Sequence, residues 1–417
     1  MIKDFSPVRG TLEYNPAEMI IREKTQQIIL DSYRKNGFSL IKTPILENLE
    51  FLMGSEGGEN LRLMFKTIKR GSKLNLTKPN LAEQDLTEEG LRYDLTVPLI
   101  RFYCNNREKL PVPFKAIQIG DAFRAERPQR GRSREFTQCD IDIIGDSSIN
   151  AEIELIFTAI QTYKKMGFDK VTIKVNDRRI LNQLIKWSGF KEEDIEFILI
   201  CLDKLDKIGL DGIKNNLTNR NFPEKSISKL LNSISLIQSD GVSALSSCGV
   251  DLIYTENINT LLSAVNNNLP KNFSVLFDIS IIRGQGYYTG TVFEAYTDGF
   301  SRAIGGGGRY DKIMQKLSGV SSPMVGFSIG FEPCCMLIQE RGIKLDNTKT
   351  LALIYSTEDN FGDVVKRKNE LMKDYNVSLY TKPKNIKNLL NKLKDSGYTN
   401  FVFFNKNVTQ ENIGSLN

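Results

Sequence analysis

The sequence predicts a large α+β domain that carries a helical insertion and is followed by a small C-terminal α/β domain. Three observations predict this order. Two strand-like stretches, 114–120 and 135–144, flank an arginine-rich connection and predict an antiparallel hairpin. Residues 178–262 hold several helical patterns with few turn signals. Residues 349–406 follow a βαβαβ order, which is typical of a small, mainly parallel sheet.

The elements of the first domain begin with a helix over 17–36, where apolar residues recur at helical spacing between Asn15-Pro16 and Gly37. A strand follows from Phe38 and is broken at Pro44. Further strands are predicted at 73–77, 274–280, 288–297, 300–305 and 324–330, and a helix at 151–166. We expect domain limits of 1–335 and 349–417, with a linker between them.

Composition indicates a folded protein of more than one domain. The chain has 417 residues, of which 40% are hydrophobic and 25% charged, with a net charge of +6. It holds no apolar run of 18 residues, and its first residues lack the apolar core of a secretory signal. Six cysteines occur without CxxC spacing, so we expect reduced thiols, no metal site and a cytoplasmic location.

The sequence contains no histidine. Ser-His-Asp and Cys-His catalysis, histidine-ligated metal sites and imidazole proton relays are therefore excluded. Any chemistry must use carboxylates, lysine, arginine, tyrosine, backbone dipoles or a bound ion.

The densest chemical signal is the arginine loop, which we define as residues 124–134. Five arginines fall within it: Arg124, Arg127, Arg130, Arg132 and Arg134. Guanidinium groups stay charged and bind phosphate bidentately, so the loop suits a polyphosphate or a nucleic-acid backbone. Strand alternation would put Arg124 and Glu126 on one face. A solvated basic loop remains the alternative.

Five motifs, in order, resemble the histidyl branch of the class II aminoacyl-tRNA synthetases. They are Leu91–Pro98 (LRYDLTVP), Phe123–Gln138 around the arginine loop, Arg283–Gly290 (RGQGYYTG), Ala303–Asp311 (AIGGGGRYD) and Val325–Glu332 (VGFSIGFE). The resemblance covers nearly the whole chain. It implies a catalytic domain built on an antiparallel sheet flanked by helices, and an anticodon-binding-like C-terminal domain.

The resemblance also implies an activity and partners. ATP would activate L-histidine to histidyl-adenylate, which is then transferred to the 3' end of tRNA(His), and Mg²⁺ is expected with the ATP. The family dimerises through its first helix and strand, which match residues 17–46, so a homodimer is expected. No membrane partner is expected.

The resemblance assigns six residues to ATP: Arg124, Glu126, Arg132, Arg134, Phe136 and Arg283. Arg124 would hold the α-phosphate and Arg283 would face it from the other side, as the two catalytic residues. Such paired cations stabilise the charge that builds on phosphorus during transfer.

Eight residues are assigned by resemblance to histidine: Asp94, Thr96, Gln138, Asp142, Tyr287, Tyr288, Gly305 and Gly306. Asp94 and Thr96 would bind the ammonium, and Asp142 and Tyr288 the two ring nitrogens. Buried polar partners of this kind reject isosteres strongly. We expect the glycine run 305–308 to be a wall of the pocket and too flexible for the centre of a strand.

One position departs from the family pattern. The family's third motif ends in an arginine that clamps the terminal phosphate, whereas here the sequence has Pro333, which suits the first turn of a helix. Two interpretations beside a working synthetase stay open. One is an impaired paralogue with a regulatory or histidine-sensing role, such as a regulatory subunit of ATP phosphoribosyltransferase. The other is a nucleic-acid-binding module without adenylation.

Overall fold

The computed structural model describes residues 4–55, 63–283, 288–345, 349–405 and 413–416. The chain divides into two compact units. One comprises the chain up to Thr11 together with Ile28–Met336, and the other comprises Leu12–Gln27 and the chain from Leu337. The domain limits expected from the sequence stay a prediction. No helix of the described residues is both long enough and apolar enough to cross a bilayer.

The part of the chain before the insertion holds the hairpin and the helices around it. Its elements are α1 (Pro16–Lys35), β1 (Ser39–Leu40), β2 (Leu46–Asn48), α2 (Leu49–Ser55), β3 (Lys66–Ile68), α3 (Glu83–Leu86), β4 (Thr87–Leu91), α4 (Thr96–Asn106), β5 (Phe114–Phe123), β6 (Glu135–Ile144) and α5 (Asn150–Lys165). The predicted hairpin of β5 and β6 is confirmed by ten antiparallel residue pairs.

The helical insertion is confirmed. A strand, β7 (Val171–Asp177), precedes five helices: α6 (Arg178–Trp187), α7 (Ile195–Leu202), α8 (Leu205–Thr218), α9 (Glu224–Asp240) and α10 (Leu252–Asn266). Their apolar faces form a core of their own that includes Leu184, Ile213 and Ile234. Because these side chains recur at helical spacing, each helix buries one face against its neighbours.

The chain then returns to the sheet. Its elements are β8 (Phe273–Phe277), β9 (Thr291–Tyr296), β10 (Gly305–Arg309), α11 (Lys312–Ser318), β11 (Met324–Gly330) and α12 (Phe331–Glu340). Eight of the described strands form one sheet, in the order β1-β5-β6-β11-β10-β9-β7-β8, and β2, β4 and β3 form a separate small sheet. Within this sheet of eight, each neighbouring pair in the run β5-β6-β11-β10-β9-β7 is antiparallel, as the fold class predicts.

Two strand predictions are wrong. Residues 73–77 form the end of a short 3-10 helix and a turn, because Pro79 and several polar residues around it leave no apolar face to pair. No strand lies over most of 300–305, and the strand β10 instead begins at Gly305 and contains the glycine run. The expectation that this run is too flexible for a strand centre is therefore wrong, since pairing with β9 and β11 on both sides holds its backbone.

The second unit contains the predicted βαβαβ order. Its elements are β12 (Thr350–Tyr355), α13 (Phe361–Leu371), β13 (Asn376–Thr381), α14 (Ile386–Asp395), β14 (Asn400–Phe403) and β15 (Gly414–Ser415). Strand β12 pairs parallel with both β13 and β14. Side chains on both of its faces, such as Leu351 and Ala352, are buried because helices cover both faces of such a sheet.

Candidate active site

A cavity of about 460 Å³ lies over one face of strands β6, β11 and β10 and under the arginine loop. Its volume is within the range of small-molecule sites. All the residues that line it belong to the first compact unit. Three aspartates and several arginines are among the residues that line it.

Strand β6 supplies most of the carboxylate floor, which we define as Asp94, Asp140 and Asp142. Gln138, Asp140 and Asp142 alternate along β6 and line the cavity, while Cys139 and Ile141 between them are fully buried on the other face. The same alternation that sends apolar side chains into the core therefore sends polar ones into the cavity.

Asp142 is held by its neighbours on the sheet. Its Oδ1 accepts a hydrogen bond from the hydroxyl of Tyr310. Gly326 lies opposite Asp142 on β11, and a Cβ there would come within 2.0 Å of Oδ1, so only glycine leaves room for the carboxylate. Burial, together with the charge of Asp140, raises the pKa of Asp142 well above its usual range.

Asp94 lies just before helix α4. Its Oδ1 accepts a hydrogen bond from the amide of Val97 at 3.1 Å, which ties the carboxylate to the first turn of the helix. Its Oδ2 is buried and has no hydrogen-bond partner among the residues that the structure describes. Burial raises the pKa of Asp94. A buried acceptor without a donor is costly, so this oxygen indicates a place for a ligand donor.

Four arginines form the arginine rim, which we define as Arg124, Arg132, Arg283 and Arg302, and all four line the cavity. Arg124 Nε donates to the carbonyl of Tyr93 at 2.9 Å, and its guanidinium carbon lies 5.2 Å from the ring centroid of Phe136. Arg302 Nη1 donates to the carbonyl of Arg130 at 2.7 Å. The rim is thereby linked to the backbone of the loops that carry it.

Arg283 approaches the cavity from the side of strand β9. Its φ of 53° is in the left-handed region, and its Nη1 donates to the carbonyl of Phe293 on β9 at 3.1 Å. Its guanidinium carbon lies 5.6 Å from the ring centroid of Tyr288. A Cβ on Gly306 would lie 2.0 Å from Nη1, so this glycine makes room for the arginine.

Most of the residues predicted for the site line this one cavity. The predicted residues that do so are Asp94, Thr96, Arg124, Glu126, Arg132, Phe136, Gln138, Asp142, Arg283, Tyr288, Gly305 and Gly306. Glu126 forms an ion pair with Arg132 at 3.3 Å. The expected strand alternation of Arg124 and Glu126 is wrong, because β5 ends at Phe123. Their roles toward a ligand stay predictions.

Two predicted residues stand apart. Arg134 is not among the lining residues of the cavity. Its amide donates to the carbonyl of Gly10 at 2.7 Å, and its Nε donates to the carbonyl of Glu126 at 3.3 Å. Tyr287 lies outside the described residues. The assignment of both to a ligand stays a prediction.

Pro333 lines the cavity and is the third residue of α12, in its first turn, as its lack of an amide donor favours. Gly131 of the arginine loop faces it, since a Cβ there would lie 3.9 Å from the Cβ of Pro333. No charge is provided at this position.

Several residues that line the cavity were not assigned to a ligand from the sequence, and among them are Asp140, Glu294, Arg302 and Tyr310. A signal for Asp140 was present, because it stands midway between Gln138 and Asp142 in a strand with period-two alternation. Glu294 also shows in the pattern once β9 is paired with β10, where it lies opposite Gly306. Arg302 lies outside any strand, and no periodicity could find it.

Comparisons with known proteins agree on the family. A family model described as histidyl-tRNA synthetase matches residues 10–334. The histidine–tRNA ligase of Leifsonia xyli subsp. xyli is 36% identical over 416 residues, which cover 97% of this chain and 96% of that protein. The probable histidine–tRNA ligase of Tropheryma whipplei (strain Twist) is 36% identical, over 95% of each chain.

Two solved structures share the fold. The histidyl-tRNA synthetase from Nostoc sp. superposes with a TM-score of 0.77 at 22% identity, over 96% of this chain and 91% of that one. A Bacillus halodurans protein described as an ATP phosphoribosyltransferase regulatory subunit/histidyl-tRNA synthetase gives 0.75 at 19% identity, over 96% and 98%. At these identities the likeness confirms the predicted fold class alone. Since the family model and the relatives span most of the chain, this chain belongs to the histidyl-tRNA synthetase family.

Proposed function

We propose that this chain is a histidine–tRNA ligase, which uses ATP to activate L-histidine as histidyl-adenylate and then transfers the histidyl group to the 3' end of tRNA(His). The observation that carries the proposal is the separation of charge within one cavity. A carboxylate floor suits the ammonium and imidazole groups of histidine, and an arginine rim suits the phosphates of ATP. Relatives at 36% identity over nearly the full chain carry this activity in their names.

In the proposed reaction the carboxylate of histidine attacks the α-phosphate of ATP, and pyrophosphate leaves in line. The chain's own residues position the two substrates and neutralise charge, and no protein nucleophile is required. Arg124 follows β5 and Arg283 binds β9, so three strands separate the places from which the two guanidinium groups approach. They would flank the phosphorus as negative charge builds on it.

Mg²⁺ fits this cavity as an ion that arrives with ATP. Among the described residues, no group of three or more Asp, Glu or Cys side chains is placed to hold a metal by itself. Mg²⁺ in such sites keeps several waters and needs only one or two carboxylates beside the phosphates. Glu294 and Glu332 line the cavity and would hold it. The ion would supply charge neutralisation for the phosphates.

Dimerisation through residues 17–46 is part of the same proposal. Light scattering of the full chain should give twice the monomer mass of 47.3 kDa. A monodisperse monomer would count against it.

The test of the activity is histidine-dependent exchange of labelled pyrophosphate into ATP, followed by charging of tRNA(His). The same assays are run on Pro333→Arg, which restores a cation at the first turn of α12. Exchange by the native chain supports the proposal, and faster exchange by the variant would identify Pro333 as the reason for a low rate. Histidine binding without exchange, with exchange recovered in the variant, would instead favour a histidine-sensing role.

A further inference from the structure

The floor of the cavity has more hydrogen-bond acceptors than donors. Oδ2 of Asp94 and Oε1 of Gln138 are both buried, and neither has a partner among the described residues. Each of these residues uses its other polar atom within the protein. Asp94 Oδ1 accepts from Val97, and Gln138 Nε2 donates to Asp140. The two unpaired oxygens therefore require a ligand that donates hydrogen bonds.

Asp140 adds a third acceptor to these two. Its side chain lines the cavity, although only 5% of the residue's surface is exposed. Gln138 Nε2 lies 3.4 Å from Oδ1 and 3.2 Å from Oδ2 of Asp140. Ser328, opposite on β11, also donates to this carboxylate. No resemblance or motif assigns Asp140 a role.

The carboxylate floor also lacks a cation. Among the described residues, no lysine or arginine forms a salt bridge with Asp94, Asp140 or Asp142, whereas Glu126 and Glu294 at the rim each have an arginine partner. Arg124 is the cation whose charge acts on both Asp94 and Asp140, from outside salt-bridge distance. Buried carboxylates are normally paired, so the floor is suited to a cationic ligand group.

We propose that Asp140 is a further substrate-binding residue, which accepts a hydrogen bond from the α-ammonium group of histidine together with Asp94 and Gln138. This inference rests on the proposed function. A primary ammonium group has three N–H donors, and the side chains of Asp94, Gln138 and Asp140 offer it three acceptors. Asp142 lies further along β6, and Tyr310 already occupies its Oδ1, so the ring of histidine extends toward that end.

The test distinguishes a contact of Asp140 with the ammonium group from a contact with the imidazole ring. Binding of L-histidine and of 3-(imidazol-4-yl)propionate, which has a hydrogen in place of the ammonium, is measured by calorimetry on the full chain, Asp140→Asn and Asp121→Asn. Asp121 is the matched control, because it lies on the neighbouring strand β5 and does not line the cavity. Asp140→Asn should weaken histidine about 10- to 100-fold, the usual size for a charge-assisted hydrogen bond. It should change binding of the propionate less than about threefold, and Asp121→Asn should change neither.

Equal losses for both ligands would overturn the inference, since Asp140 would then act on the ring or on the shape of the pocket. Unchanged histidine binding in Asp140→Asn would overturn it as well. Asp140→Ser, which removes the charge without adding bulk, gives the same test if the Asn variant does not fold. Failure of the native chain to bind histidine or to exchange pyrophosphate is a different result, because it would remove the proposed function itself.

Discussion

The carboxylate floor and the arginine rim face each other across one cavity, yet they are built in opposite ways. The floor comes from the centre of a strand and the start of a helix, and its carboxyl groups are buried. The rim comes from segments outside the strands, and the side chain of Arg132 is 62% exposed. Buried groups on regular elements are fixed before a ligand arrives, whereas long side chains on loops adjust to it.

This difference implies that histidine and ATP would be bound in different ways. Two acceptors at the floor have no partner among the described residues, so a ligand without an ammonium group would leave them unpaired and would bind weakly. In the proposed function the rim would bind phosphate, which every nucleotide carries, and would stabilise charge in the transition state. Changes in the rim should therefore act mainly on kcat, and changes in the floor mainly on the KM for histidine.

The largest effect is expected at Arg283. Arg283→Gln should lower kcat for pyrophosphate exchange about 10²- to 10³-fold, because it removes one of the two cations that would face the α-phosphate in the proposed reaction. The KM for histidine should change less than about threefold. Steady-state exchange kinetics measure both values. A large rise in the KM for histidine, with kcat retained, would contradict the division between rim and floor.

The next effect is expected at Asp94. Asp94→Asn should raise the KM for histidine about 30- to 100-fold, because the unpartnered carboxylate loses the charge that would pair with the ammonium in the proposed function. The KM for ATP should stay within about threefold of the native value. Kinetics at varied histidine and then at varied ATP separate the two. Equal changes in both would indicate that Asp94→Asn disturbs helix α4 rather than the ligand.

The same contrast explains what the sequence could predict. Alternation along β6 places Asp140 and Asp142 of the floor on one face, because side chains on a paired strand have only two directions, whereas Asp94 comes from a separate segment before α4. The arginine loop could be recognised as phosphate-binding from composition, but Arg134 folds back on Gly10 and does not line the cavity. Loops have no period that decides where a side chain goes. The glycine run shows a further limit, since its strand pairing depends on neighbours distant in the sequence.

A smaller effect is expected at Gly306 of β10, which lies beside Arg283 of the rim. A Cβ there would lie 2.0 Å from Nη1 of Arg283 and 2.7 Å from the carbonyl oxygen of Phe293, so the guanidinium must move. Gly306→Ala should lower kcat about tenfold. In the double variant with Arg283→Gln it should cost little more, because both changes act through one group. Additive losses in this cycle would show that Gly306 acts independently of Arg283.

The smallest effect concerns the free energy of unfolding. It tests whether ionisation of the buried Asp140 destabilises the folded chain. Burial, with the charge of Asp94 beside it, raises the pKa of Asp140 to about 7. The unfolded chain releases this proton near pH 4, so the folded state loses relative stability as pH rises from about 4 to about 7. Asp140→Asn removes this ionisation. The difference in unfolding free energy between the variant and the native chain should therefore be more favourable to the variant at pH 8 than at pH 5, by roughly 2–4 kcal/mol. Urea unfolding at the two pH values measures this, with Asp121→Asn as the control. A gain that does not depend on pH would mean that Asp140 is ionised throughout and that the floor already holds a compensating cation.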